Sequence, residues 1–223
     1  MQCSLQRTLT TFLRSPHYGL AIHTASSDLG LAISNFAGDC RCQTWALGRE
    51  VSNYLHLYLQ RFIQPQTWTD LALIAVAKGP GGFTGTRLGV VTARTLAQQL
   101  NLPLFAISTL AAVAWSESGE DSAATNIAVQ MAAQRGEVHG AMYQINREPE
   151  QIGITALLPD AVMGLEQWQQ ILANWDRPYR LVEAEGGLGK TAAAILELAY
   201  LDWQAGKRPH WSEALPFYGQ SPV

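Results

Sequence analysis

The stretch that most constrains this chain is Lys78 to Gly89, KGPGGFTGTRLG. Ahead of it stands Leu71 to Ala77, an almost wholly apolar run whose length and character fit a strand buried on both faces. Behind it, Thr84 or Thr86 is placed to cap a helix that runs to about Leu100 and stops before Pro103. Closely spaced glycines let the backbone approach a neighbouring group, and a helix N-terminus presents unpaired N–H groups with partial positive charge. A phosphate or carboxylate suits such a place, and Lys78 and Arg87 flank it with no acid nearby. The residues concerned are Gly79, Gly81, Gly82, Thr84, Gly85 and Arg87. A tight strand-to-helix turn with no ligand needs the same residues, and the sequence leaves both readings open.

The flanking pattern predicts an α/β fold. Tyr18–Ala25, Leu29–Phe36 and Cys40–Leu47 read as three strands joined by short turns, an antiparallel meander. A helix follows from about Arg49 to Ile63, closed by Pro65, and Leu104–Ile107 reads as a further short strand. Beyond Ser108 the logic repeats more weakly. A hairpin, Ile127–Ala133 and Val138–Ile145, turns at Arg135-Gly136, and helices are expected at Leu165–Ala173 and Thr191–Gln204. Two α/β lobes result, 18–108 and 109–189, with the helix at about 190–206 returning to the first and a tail over 207–223.

Charge is scarce. Asp, Glu, Lys and Arg make up 15% of the 223 residues, against roughly 25% in a typical soluble domain. The net charge of −3 divides into +4 for residues 1–116 and −7 for 117–223, and no acid lies between Asp70 and Glu117. Independent binding of nucleic acid needs clustered Lys and Arg, which are absent, and no apolar run has the length of a membrane span. Cys3, Cys40 and Cys42 are too few for a disulfide framework and have no His or Cys cluster beside them for metal. The five histidines are scattered, so no metal site is expected. Residues 1–17 hold Arg7 and Arg14 and no acid. A disordered extension is preferred there over an organellar transit peptide, and the cytoplasm is the expected compartment. Ala184–Thr191, AEGGLGKT, ends like a P-loop, but Ala184 stands where the first glycine belongs and Glu185 would face the phosphates.

The helix at Val51–Ile63 is apolar beyond the need of a single stripe. Val51, Leu55, Tyr58 and Phe62 make one face, while Tyr54 and Leu57 widen it. Burial on two sides explains that width, one against its own sheet and one against another chain. Few charges in the neighbouring stretch leave little to desolvate when a partner binds.

KGPGGFTGTRLG resembles the signature of the TsaB (YeaZ) family, GPGSFTG, with Gly82 in place of its Ser. Ala21-Ile22-His23-Thr24-Ala25 is similar to the family's opening Ile-Asp-Thr-Ser strand, Gln134–Val138 to its Arg-x-Gly-Glu-Val turn, and Ala214–Tyr218 to its Leu-Pro-x-Tyr. The resemblance implies a two-lobed actin-like, sugar-kinase-type (ASKHA) fold with a ribonuclease H-like motif in each lobe. It implies a role in N6-threonylcarbamoyladenosine modification of ANN-decoding tRNAs. The expected role is a non-catalytic subunit that binds and stabilises TsaD together with the ATPase TsaE, reaches tRNA only through that complex, and forms a homodimer when isolated. No cofactor of its own is implied; ATP or ADP is admitted at the junction with TsaD. The family pairs through the helix at Val51 and the one after the glycine loop, where Leu88, Val91, Thr92 and Thr95 would supply contacts. Two further positions depart: Val51 replaces a frequent His of the family, and His23 replaces the first-strand Asp of ASKHA enzymes. An imidazole is a poor stand-in for a carboxylate that holds Mg²⁺. No catalytic residue is therefore expected. The competing reading is an independent ASKHA phosphotransferase or a glycoprotease-like peptidase.

Overall fold

The computed structural model describes residues 18–119, 125–148 and 151–219. The first sheet holds β1 (Tyr18–His23), β2 (Asp28–Ser34), β3 (Cys40–Ala46), β4 (Leu71–Ala77) and β5 (Leu104–Ile107) in the order β3-β2-β1-β4-β5. β1, β2 and β3 form the antiparallel meander, while β4 and β5 run parallel to β1. The second sheet repeats the plan with one strand fewer. There β6 (Thr125–Ala132), β7 (Glu137–Asn146), β8 (Gly153–Gly164) and β9 (Arg180–Glu183) follow the order β8-β7-β6-β9, with β9 parallel to β6. Each lobe thus carries a ribonuclease H-like meander with a parallel strand beside its first member, and together they make the two-lobed actin-like fold.

Side-chain alternation divides the first sheet between two cores. Leu20, Ile22, Leu31, Ile33, Ile74 and Val76 face α1 (Val51–Phe62) and α2 (Phe83–Leu100). Ala21, Ala32 and Ala75 face the other way, toward α3 (Thr109–Glu117) and α5 (Ala192–Gln204). Small residues on that face let α5 lie close, and a Cβ at Gly19 would stand 2.8 Å from Leu196 of this helix. α3 is buried on every side over Thr109–Trp115, and α5 is buried over Ala192–Tyr200 except along the half-exposed stripe Ala193, Glu197 and Tyr200, because Ile127, Val129, Ala141 and Tyr143 of the second sheet close over this layer. On that sheet's outer face α4 (Leu165–Ala173) inserts the fully buried Trp168 against Ala128, Met142 and Met163.

Local chemistry explains the element ends. α2 closes on Asn101 in the left-handed conformation (φ +54°), whose N–H returns to the Ala97 carbonyl, and Pro103 follows. Ser108 caps α3 by accepting the Ala111 N–H at 3.2 Å. Among the elements not expected from the sequence are α3 and β8. The proposed extension at 1–17 and the last residues of the tail lie outside the described residues. No helix among the described residues is long and apolar enough to cross a membrane.

Gly140 of β7 leaves the space that the Trp168 ring fills, since a Cβ there would lie 2.8 Å from it, and the indole N–H donates to Gln130 at 2.7 Å. Trp168→Ala is expected to cost about 3–5 kcal/mol, read as a lower urea midpoint with an unchanged m-value.

Candidate functional site

β4 delivers the chain into the glycine loop, and α2 begins at its far side with Gly82 as N-cap. The glycines are where they are because other parts of this chain occupy the space their side chains would take. A Cβ on Gly81 would stand 2.1 Å from the Ala25 carbonyl oxygen, and one on Gly85 2.1 Å from that of Thr24. At Gly89 it would meet the Thr24 hydroxyl at 2.3 Å, and at Gly79 (φ +101°) the Phe217 carbonyl at 2.3 Å. Hydrogen bonds fix the same approach: Gly82 N–H donates to Ala25 at 2.7 Å, and the Thr24 hydroxyl donates to the Gly85 carbonyl at 2.7 Å.

Carbonyl oxygens pressed against Gly79, Gly81 and Gly85 repel anions. These three glycines therefore seat the β1–β2 corner and the C-terminal tail, and the loop does not fit a phosphate cradle. Of the residues singled out for an anion, Gly82, Thr84 and Arg87 are exposed, and the Arg87 guanidinium lies 5.4 Å over the Phe83 ring. Gly82 is the exception among the glycines, with its nearest neighbour 3.8 Å from a Cβ and an ordinary φ of −60°. A serine fits there without movement. Gly82→Ser should leave the melting temperature unchanged within about a degree. Gly85→Ala should lower stability by roughly 1–3 kcal/mol, because backbone must shift to admit the methyl group.

His23 ends β1 fully buried, and neither ring nitrogen has a hydrogen-bond partner among the described residues. Burial pushes its pKa from 6.5 down to about 4, so the ring is neutral at neutral pH. Below pH 6.5 the unfolded chain takes up a proton that the folded chain refuses. Stability is therefore full above that pH, falls as pH drops, and levels off near pH 4. Between pH 7.5 and 5 this group alone removes about 2 kcal/mol, and His23→Leu should abolish that part of the loss in paired urea titrations.

A polar cluster joins the lobes beside the loop. Asp160, in β8 where its pairing with β7 is irregular, accepts from Ser108 at the end of β5 and from the Tyr143 hydroxyl on β7. Burial, then the Asp160 charge, drives the Tyr143 phenol well above its ordinary pKa. His139 lies close by, its pKa held down by burial against the opposing pull of Asp160 and Glu137. These four residues escaped sequence reasoning, since β8 was unseen and their spacing spans more than fifty positions. The P-loop-like segment is also a packing device. Gly189 sits backbone to backbone on Gly30 of β2, and the Thr191 hydroxyl is spent on the Leu188 carbonyl at 2.8 Å. No group of three metal-ligating side chains occurs among the described residues.

α1 corrects the expected partner surface. Val51, Leu55 and Phe62 are buried in this chain's own core, with Leu59 completing the stripe. Helical spacing gives that inner stripe to residues four and three apart, and Tyr58 turns half outward against Trp45, ring centres 4.6 Å apart. The outer ridge is Tyr54, 44% exposed, with Leu57 and Tyr58 half-buried. Beside it α2 presents Val91, 57% exposed, the exposed Thr95, and the half-buried Leu88 and Thr92.

The fold is that of solved YeaZ from Pseudomonas aeruginosa, with a TM-score of 0.73 at 24% identity over 90% of this chain and all of that one. A family model described as "TsaD: tRNA N6-adenosine threonylcarbamoyltransferase" matches residues 63–177, just over half of the chain. Proteins named tRNA threonylcarbamoyladenosine biosynthesis protein TsaB align with it. That of Bacillus subtilis is 37% identical over 122 residues, 54% of this chain and 50% of the relative. That of Escherichia coli is 33% identical over 134 residues, 57% and 55%. The aligned stretch thus spans about half the length of the curated relatives it matches. The class is that of two-lobed actin-like proteins. Within it, the chain belongs to the TsaB (YeaZ) family.

Proposed function

We propose that this chain is a non-catalytic subunit of the machinery that makes N6-threonylcarbamoyladenosine on ANN-decoding tRNAs. It docks on TsaD through the outer ridge of α1 and α2 and works together with TsaE. The observation that carries this reading is the exposed apolar surface on those helices. Of six large apolar side chains exposed among the described residues, Tyr54, Phe83 and Val91 stand on α1 and α2. Exposed apolar side chains on two adjacent helices fit a binding surface. The absence of any acid between Asp70 and Glu117 makes it cheap to desolvate. TsaD is expected to present a comparable helix pair, and the ridge is self-complementary enough to form a homodimer when TsaD is missing. Contact with tRNA then comes through the assembled complex, in the cytoplasm.

The neutral, buried His23 supports a role without metal-assisted phosphoryl transfer, because no carboxylate takes the first-strand position. ATP or ADP at the junction with TsaD finds no phosphate cradle in the glycine loop of this chain.

Val91→Glu and Tyr54→Glu should each abolish co-purification with TsaD and leave thermal melting within a few degrees of the parent. Leu55→Glu should instead unfold the chain, since it buries a charge in the core. Reconstitution of tRNA modification from TsaD and TsaE decides the larger point: equal product with and without this chain overturns the reading.

A further inference from the structure

β5 is an edge strand, and the C-terminal tail covers it only in part. The Leu104 N–H donates to the Pro209 carbonyl at 3.2 Å, and further on the Phe217 N–H donates to the Lys78 carbonyl at 2.6 Å. Between these two points the tail bows away through the turn at Trp211–Glu213. A groove of about 730 Å³ remains between the strand edge and the tail, within the range of roughly 300–1,000 Å³ typical of ligand sites.

Strand geometry fixes what that edge offers. Pro103 and Ile107 turn their carbonyls inward, to Ile74 and Lys78, so Phe105 between them faces β4 as well. Leu104 and Ala106 then face outward. The Leu104 N–H is taken by the tail, whereas no bond within the described residues reaches the Leu104 carbonyl or the N–H and carbonyl of Ala106. An acceptor, a donor and an acceptor spaced along one strand edge match the backbone of an extended peptide.

Charge defines the occupant further. Lys78 lines the groove at the Ile107 end, and Lys207 and Arg208 line it with Pro209 at the Leu104 end. Its two acids are engaged within the chain: Asp202 pairs with Lys207 at 2.6 Å, and Glu213 accepts the His210 N–H at 3.0 Å. The exposed Leu215 also lines it and offers apolar contact. None of the lining residues belongs to α1 or α2.

We propose that the β5 edge binds an extended acidic peptide segment of about four residues as an added strand. Four residues at about 3.3 Å each match the length of β5, and acidic side chains at the two ends meet Lys78 and Arg208. A nucleic-acid strand fits less well, because the edge groups are spaced to pair with the amides of an extended peptide.

An oriented hexapeptide library, applied to the purified full chain, tests this. Enrichment of Asp or Glu at two positions about three residues apart is expected, with saturable binding of the enriched hexamer by fluorescence anisotropy. Ala106→Pro removes the outward N–H while sparing the β4–β5 ladder and should weaken that hexamer at least tenfold. Lys78→Glu should reverse the preference at one end toward Lys or Arg. Absence of enrichment overturns the proposal, as does enrichment that survives both substitutions. Retention of single-stranded RNA rather than peptide also overturns it. Should Ala106→Pro fail to fold, the reversal by Lys78→Glu decides alone.

Discussion

The contact on which the rest of the first lobe depends is the approach of the Thr24 and Ala25 carbonyls to the start of α2. Two carbonyl oxygens and a hydroxyl occupy the space where side chains of Gly81, Gly85 and Gly89 would stand. That approach brings Val90, Ala93 and Ala97 down onto the sheet and turns Arg87, Val91 and Thr95 to solvent. It also ties the corner after β1 to the end of β4, so the parallel strands share one rim. A glycine-rich strand-to-helix loop is the usual form of a phosphate cradle. Here the same form answers to a demand from inside the chain, because the anion's place is taken by the chain's own dipoles.

The main outline was legible in the sequence. Period-two strands, the glycine punctuation and Pro65 and Pro103 located the elements of the first lobe. α3 was hidden because Thr109–Trp115 is buried on every side, which erases helical periodicity, and it follows β5 with a single residue between them. β8 was hidden by Pro159 and by a mixed pattern of half-buried positions. α1 shows the limit most plainly. Its apolar residues cover more than one stripe, and composition does not tell Leu59, which is buried, from Leu57, which is half-exposed. The sheet beneath decides that, through the register of β1 and β2.

The polar residues that join the lobes were invisible for a different reason. Ser108, Tyr143 and Asp160 are unremarkable one at a time, and only the arrangement of two sheets around α3 brings them together. Such a cluster is costly unless every member is satisfied. It therefore specifies one seating of the lobes. His23 works in the opposite sense: it carries a titratable ring into the core with no hydrogen-bond partner among the described residues, and the core keeps it uncharged.

α5 lies on β1, β2, β4 and β5, although it follows the last of them by more than eighty residues in sequence. The alanine-lined face of the first sheet accordingly lacks this helix on the ribosome until residues as far as Gln204 have emerged. Folding of this lobe is then a closing event rather than an opening one, governed by contacts far apart in sequence. Strands made early are thus sheltered late, so that face is exposed for longer in the nascent chain.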